Sequence, residues 1–461
     1  MDRLDGTSQP MPAPTTHATS LVSRLLRDIL HSPVPLYTFA RWGLALIAIL
    51  FAADTLRLAI DSVRIEHVHR KDFIQEYLLG RALLDGTSPY LPIPELATRY
   101  IGSLPDRILP HPTPHPPPAA LLGLPLAHLD YASAARVWLV VEIVFILISL
   151  ALSCWALNLR IPFWAFLILL SALLGTDAYL YELVFGQLQT VILLLLVTAW
   201  ILLRRRQDWI GGACLGIALA LKMAGWPIIL LMLIQRRWRA LGAAAVLLAS
   251  LNGLAAVAMG PKIWVDYYLR IAPYQIALYR SDPKNLSLWT LGWRIFSGTV
   301  PTVTIDILAP PLFTWQAGAV TLSALVPAAC VVLAVVAAAK VKSFDAAFVM
   351  LCCVSALVNP IAWSFYGLLA TPALVWLWWR LRALGFPPRA TCMSLACTAM
   401  LYVRTTQLHH VAARLSGQTL DSAQYVTVSF GASLLTLLPT ATLVLLTYLV
   451  WRTEQMKRLD A

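Results

Sequence analysis

Blocks of apolar residues long enough to cross a bilayer constrain this chain more than any other feature. They run over Trp42–Ile60, Trp138–Leu157, Leu188–Leu203, Leu241–Met259, Phe313–Ala339 and Val426–Trp451. About 20 apolar residues span a hydrocarbon core as a helix, and a helix satisfies its backbone N–H and C=O groups internally, as lipid demands. The period-two alternation of a membrane β-barrel is absent. With 59% hydrophobic and 13% charged residues and a mean hydropathy of +0.72, the chain carries roughly half the charge of a soluble domain. The expectation is an all-α polytopic membrane protein. The first block is long enough to stay in the membrane rather than serve as a removable leader.

The formal net charge is +12 over 461 residues. The basic residues stand in short clusters between apolar blocks, the pattern of membrane orientation and not of nucleic-acid binding. These clusters are Arg204–Arg206, Arg236-Arg237-Trp238-Arg239, Lys340-Val341-Lys342, Arg380-Leu381-Arg382 and Arg452 with Lys457-Arg458. The N-terminal tail adds Arg3, Arg24, Arg27 and Arg41, and its residues 1–20, rich in Pro, Thr and Ser, read as disordered. Placing every cluster on the cytoplasmic side makes Pro117–Leu129 a half-helix that returns to its own side. It also makes Ile210–Met223 and Trp226–Ile234 a hairpin with Lys222 at its tip. The resulting count is about eleven spanning helices, with short half-helices and external amphipathic helices. The predicted organisation is a cytoplasmic tail over 1–40, one transmembrane domain over 41–452 and a cytoplasmic tail over 453–461. External loops are expected at 61–130, 260–310 and 403–425. The polar segments then share one face, as around an outward-opening cavity. Seven cysteines all lie in apolar stretches without metal-ligand spacing and read as packing residues.

The stretch from Asp72 to Tyr90 is polar and charged in an otherwise apolar chain. Asp72 stands at the start of a short helix, as an acid favoured by the helix dipole or as a general base for a hydroxyl. Glu76, Tyr77 and Arg81 follow on the same predicted helix. Lys222, inside a membrane segment, either snorkels to the headgroups or binds an anion such as a lipid phosphate. Gly186-Gln187 caps a helix or presents an amide to a substrate. Asn359-Pro360-Ile361-Ala362-Trp363 forms an external turn whose Trp363 stacks on a sugar or sits in the interfacial aromatic belt. His111 and His115 flank a proline-rich entry without a nearby acidic or cysteine partner, so no metal is expected. There is no phosphate-binding glycine loop, no dinucleotide fingerprint and no Asp-x-Asp motif. A group donor must then come from the membrane.

Together these pieces resemble glycosyltransferase family 87 over roughly residues 40–452. The resemblance rests on Asp72…Glu76-Tyr77…Gly80-Arg81…Tyr90, Pro117…Pro125, Gly186-Gln187, Leu215…Lys222…Pro227, Asn285-Leu286-Ser287 and Asn359…Trp363 in shared order. It implies a GT-C fold and an inverting transfer of a sugar, mannose or a related one. The donor would be a polyprenyl-phosphate sugar, and the acceptor a lipid or glycan outside the cytoplasmic membrane. The partners implied are these substrates and membrane lipids, with no cofactor. Asp72 matches the catalytic base. Lys222, Arg81 and His115 are the candidates for the donor phosphate. Glu76, Tyr77, Gln187, Asn285, Asn359, Trp363 and Tyr366 are the candidates for substrate binding. Family members often carry histidines just after the Pro-x-x-Trp turn, where this chain reads Ser364-Phe365-Tyr366, so Tyr366 or His115 would substitute. A transporter or flippase of lipid-linked sugars is the alternative, although no internal repeat of the transporter kind is visible. A scaffolding subunit is a third.

Overall fold

The computed structural model describes residues 35–102, 109–302, 306–420 and 425–456. The predicted disorder of residues 1–20 and the basic residues Arg3, Arg24, Arg27, Lys457 and Arg458 lie outside the described residues. Ala45–Ala461 packs as one compact unit, and Met1–Leu44 is a separate one. Each apolar block of the sequence is mainly helical, although the Phe313–Ala339 block becomes helical only at Gln316 and the Val426–Trp451 block only at Phe430. Among the described residues, five helices are long and apolar enough to cross a membrane: Trp42–Ser62, Tyr131–Ala156, Trp238–Met259, Gln316–Lys340 and Phe430–Gln455. A sixth arises if Phe163–Leu174 and Asp177–Phe185, bent by 78°, form one broken span. Gln189–Arg204 and Phe344–Leu357 are shorter apolar helices. Pro117–Leu129 is indeed short, an α-turn over Pro118–Gly123 followed by a 3-10 turn over Leu126–His128. Among the described residues the only strands are Ile307–Leu308 and Val426–Thr427, paired in parallel.

The centre of the bundle is Phe344–Leu357, buried at every position from Ala346 to Leu357. A helix apolar all round belongs inside a core, and Gln316–Lys340, Trp226–Ile234, Thr371–Ala383 and Leu438–Gln455 pack around this one. Their outward faces keep large apolar side chains such as Val257 and Leu333 exposed, as a lipid-facing surface requires.

Glycines set the closest helix contacts. A Cβ on Gly212 would fall 2.1 Å from the Ala240 carbonyl oxygen, and one on Gly216 would fall 2.5 Å from that of Ala244. This is small-xxx-small packing between Asp208–Lys222 and the Trp238–Met259 span, where van der Waals contact replaces the hydrophobic drive that lipid cannot supply. Gly80 and Gly123 do the same for Ile74–Leu84 and Pro118–Gly123: a Cβ on Gly123 would meet the Glu76 carbonyl oxygen at 2.1 Å.

The basic clusters gather at one end of the bundle. Arg204 pairs with Asp345 at 3.5 Å, Arg237 with Asp208 at 2.6 Å and Arg380 with Glu454 at 3.7 Å. Arg204 also reaches the Ala156 carbonyl. The helices Gln189–Arg204 and Asp208–Lys222 each have one terminus in this basic end. Their other termini, Gln189 and Lys222, lie together at the opposite end.

Candidate active site

Three segments distant in sequence meet at that opposite end. The first follows the Trp42–Ser62 span. Its helix begins at Ile74, and Phe73 occupies the cap position without a side-chain hydrogen bond. The Asp72 carboxylate is therefore not used as the cap; its Oδ2 instead accepts from Gln187 Nε2 at 2.7 Å. The Phe73 N–H donates to the Phe185 carbonyl at 3.1 Å. Lys71 donates to Ser62 Oγ at 3.0 Å and to the Leu183 and Val184 carbonyls at 2.8 and 2.9 Å. One ammonium thus caps the Asp177–Phe185 helix and holds Asp72 beside its end.

Gly186 makes this approach possible. Its φ of +70° is left-handed, and a Cβ there would stand 2.9 Å from Lys71 Cε and 3.1 Å from Phe73 Cβ. Trp138 Nε1 donates to the Gly186 carbonyl at 3.1 Å and pins the turn to the Tyr131–Ala156 span.

The turn then delivers Gln187. Lys222 Nζ donates to Gln187 Oε1 at 2.7 Å and to Gln189 Oε1 at 3.1 Å. The left-handed Met223 and Gly225 reverse the chain directly after Lys222. The Phe365 and Tyr366 rings lie 5.1 and 5.4 Å from its nitrogen, within cation–π range. An acid, an amide, a lysine and an aromatic wall therefore adjoin one another. Burial pushes the Asp72 carboxyl up to about 6, with Glu76 adding to the rise, while the Gln187 hydrogen bond, His115 and Lys222 pull it back.

Glu76 and His115 form the neighbouring pair. The Glu76 carboxylate contacts His115 Nδ1, and both residues are buried. The proline-rich segment bearing His115 is strapped from outside: Tyr267 donates to the Pro114 carbonyl at 2.6 Å, Tyr90 to the His115 carbonyl at 2.8 Å and Thr113 to Gln75 at 3.0 Å. His111 engages Tyr279 at 2.6 Å and Gln275 at 2.9 Å, so its ring belongs to the strap. Among the described residues no group of three or more His, Cys, Asp or Glu is arranged to hold a metal.

The other sequence candidates stand elsewhere. Tyr77 donates to the Leu129 carbonyl at 2.9 Å and Arg81 to the Ala127 carbonyl at 3.0 Å, so both face the turn after the half-helix. Asn285 spends its side chain on the Tyr279 and Pro360 carbonyls and on the Ser287 and Ala362 amides, fastening its loop to the 357–362 turn. Asn359 donates back to the Ser355 carbonyl at 3.3 Å. Trp363 packs edge-on against Tyr279 at 5.1 Å. Ser364 is hydrogen-bonded to Thr405, whose hydroxyl reaches Asp177 at 2.8 Å.

Sequence reading missed four residues around the site: Lys71, Glu142, Glu182 and Gln189. Glu182 accepts from the Thr190 N–H at 2.8 Å, and Glu142 is fully buried within electrostatic reach of Lys71. The signal for the two glutamates was present, since an acid inside an apolar helix is a functional candidate by default. An apolar groove of 560 Å³ along Leu437–Tyr448 touches none of these groups.

The chain is 32% identical over 197 residues to the alpha-(1->3)-arabinofuranosyltransferase of Mycobacterium tuberculosis, covering 42% of this chain and 44% of that one. It is 30% identical over 132 residues to the enzyme of the same name from Corynebacterium glutamicum, covering 27% of this chain and 30% of that one. The chain thus spans less than half the length of the curated relatives it matches. No solved structure matches it. The profile of glycosyltransferase family 87 matches residues 114–360, a stretch that contains His115, Gln187, Lys222 and Asn359, and the chain belongs to that family.

Proposed function

We propose that the protein is an inverting glycosyltransferase that moves one sugar from a polyprenyl-phosphate donor to a lipid or glycan acceptor at the outer face of the cytoplasmic membrane. The observation that carries this reading is the Asp72–Gln187–Lys222 chain: a carboxylate and an ammonium held one side-chain amide apart, at the end of the bundle away from the basic clusters. The resemblance alone points to mannose. The names of the relatives favour an arabinofuranosyl group instead, and that is the sugar proposed.

The chemistry follows from the two charges. Asp72 takes the proton of the acceptor hydroxyl as its oxygen attacks the anomeric carbon. The bond from that carbon to the phosphate oxygen breaks, its electron pair leaves with the polyprenyl phosphate, and Lys222 stabilises the growing negative charge. Attack opposite the leaving phosphate inverts the anomeric centre. His115, held by Glu76, and the Tyr366 ring complete the wall.

The test is the purified protein in lipid nanodiscs, given a polyprenyl-phosphate arabinofuranose donor and a synthetic arabinofuranoside acceptor. A glycosidic product with inverted anomeric configuration is expected. Asp72→Asn should lower its rate by about 10²- to 10⁴-fold, the usual weight of a general base. Undiminished rate in that variant removes Asp72 as the base. Movement of labelled lipid across vesicles without a new glycosidic bond establishes the transporter reading instead.

A further inference from the structure

Gln187 sits between the two charged groups of the proposed reaction, and its amide is used with one polarity. The NH₂ group faces Asp72 Oδ2 at 2.7 Å and the carbonyl oxygen faces Lys222 Nζ at 2.7 Å. The reverse orientation would set an oxygen against a carboxylate and an NH₂ against an ammonium, so the two charges fix the amide. The backbone fixes it too: residue 187 follows the left-handed Gly186 and precedes the helix that starts at Gln189. Gln187 is buried, with 3% of its surface exposed. An amide held at both ends polarises in one sense, since the ammonium draws electron density to the oxygen and makes the N–H a stronger donor to the carboxylate.

We propose that Gln187, read from sequence as a substrate ligand, is a positioning residue that couples Lys222 to Asp72 and holds the Asp72 carboxylate in its ionised form. This inference rests on the reading of Asp72 as base and Lys222 as phosphate site. A hydrogen bond to the charged form of an acid favours ionisation, and here its strength depends on what Lys222 contacts. Phosphate arriving at Lys222 withdraws the ammonium from the amide oxygen, weakens the N–H donor and leaves Asp72 more basic. The base thereby strengthens when the donor is in place. The other charged or titratable groups facing Asp72 are Lys71 beside it, Glu76 on the helix that follows it, His115 on the proline-rich segment, Tyr131 on the Tyr131–Ala156 span and Tyr279 at the end of the Ala272–Tyr279 helix.

The test reads the titration of Asp72 directly, by carboxyl-carbon NMR of selectively labelled aspartate in nanodiscs, with the signal assigned by its loss in Asp72→Asn. Gln187→Leu should raise the Asp72 midpoint by about one pH unit, a tenfold change in its ionisation constant. Lys222→Met should raise it as well, and the two shifts together should fall short of their sum, because one route carries both. An unmoved midpoint in Gln187→Leu overturns the proposal, and so do fully additive shifts. Gln187→Glu keeps the shape of the side chain and serves if the leucine variant fails to fold. Its second carboxylate should likewise raise the midpoint, and an unchanged one overturns the proposal. The midpoint is measured without turnover. If it moves with Gln187 while the pH–rate limb stays put, the positioning role stands and the base assignment falls.

Discussion

At the scale of single residues, the proposed role of Asp72 as base sets stability against activity. Its carboxyl rises from 3.8 to about 6 mainly by burial. The sign is that of a raised acid: the folded protein binds the proton more tightly than the unfolded chain. Stability is fully present below the unfolded value and is lost as pH climbs through about 6, by at most about 3 kcal/mol. Two outcomes are expected. The pH profile of transfer should show an ascending limb near pH 6 that disappears in Asp72→Asn. The same variant should melt no lower than the parent at pH 7.5, because asparagine keeps an acceptor for Gln187 without a charge to desolvate. A lower melting temperature for Asp72→Asn at pH 7.5 than at pH 5, relative to the parent at each pH, would contradict this account. Gly186 shows the same economy in backbone form, since its left-handed φ and missing Cβ are what allow Lys71 and Phe73 to reach the helix end.

At the scale of elements, the site depends on how closely helices approach. Lys222 ends a 15-residue helix whose position is set by Gly212 and Gly216 against Ala240 and Ala244. Gly212→Val should push this helix off the Trp238–Met259 span, at a stability cost of about 1–3 kcal/mol or more for overpacking, and should move Lys222 away from Gln187. Gly242 lies on the same span with nothing within 4 Å of a Cβ, so Gly242→Ala should stabilise the helix by about 0.5–1 kcal/mol. Thermal unfolding in detergent checks both; equal effects would mean that the close contact does not hold the hairpin. These elements differed in how visible they were beforehand. Apolar length marked the long spans, because lipid leaves a long apolar segment one option. The expected count of about eleven exceeds the five or six helices among the described residues that are long and apolar enough to cross, since several of the counted blocks fold as shorter helices. The Lys222 hairpin was readable from its short helices and flanking arginines. The meeting of Asp72 with Gln187 was not, because 115 residues separate them and no local pattern records which amide faces which carboxylate. Tyr77, Arg81 and Asn285 looked equivalent to Glu76 and Gln187 as polar residues in shared motifs. Only the fold shows that their side chains are taken up by backbone carbonyls and amides.

At the scale of the whole molecule, the basic clusters and the proposed site occupy opposite ends of the same helices. Gln189–Arg204 runs from the lysine site to the Arg204–Asp345 pair, and Asp208–Lys222 runs back from the Arg237–Asp208 pair to the site. A helix of 16 residues is about 24 Å long at 1.5 Å per residue, close to the thickness of a hydrocarbon core. The two ends therefore belong near opposite membrane faces. The proposed orientation follows the retention of arginine and lysine on the cytoplasmic side and has Asp72, Gln187 and Lys222 outside, where a lipid-linked donor would serve in place of a nucleotide-linked one. Reporter fusions in a bacterial host test the assignment. A fluorescent-protein fusion after Lys342 should be bright and an alkaline phosphatase fusion there inactive. A phosphatase fusion after Val300, in the segment that follows the Asn285 loop, should be active and a fluorescent fusion there dark. The opposite pattern at both points would turn the molecule over. The basic clusters would then lie outside, and the Asp72–Lys222 site would face the cytoplasm, where nucleotide-linked sugars would compete as donors.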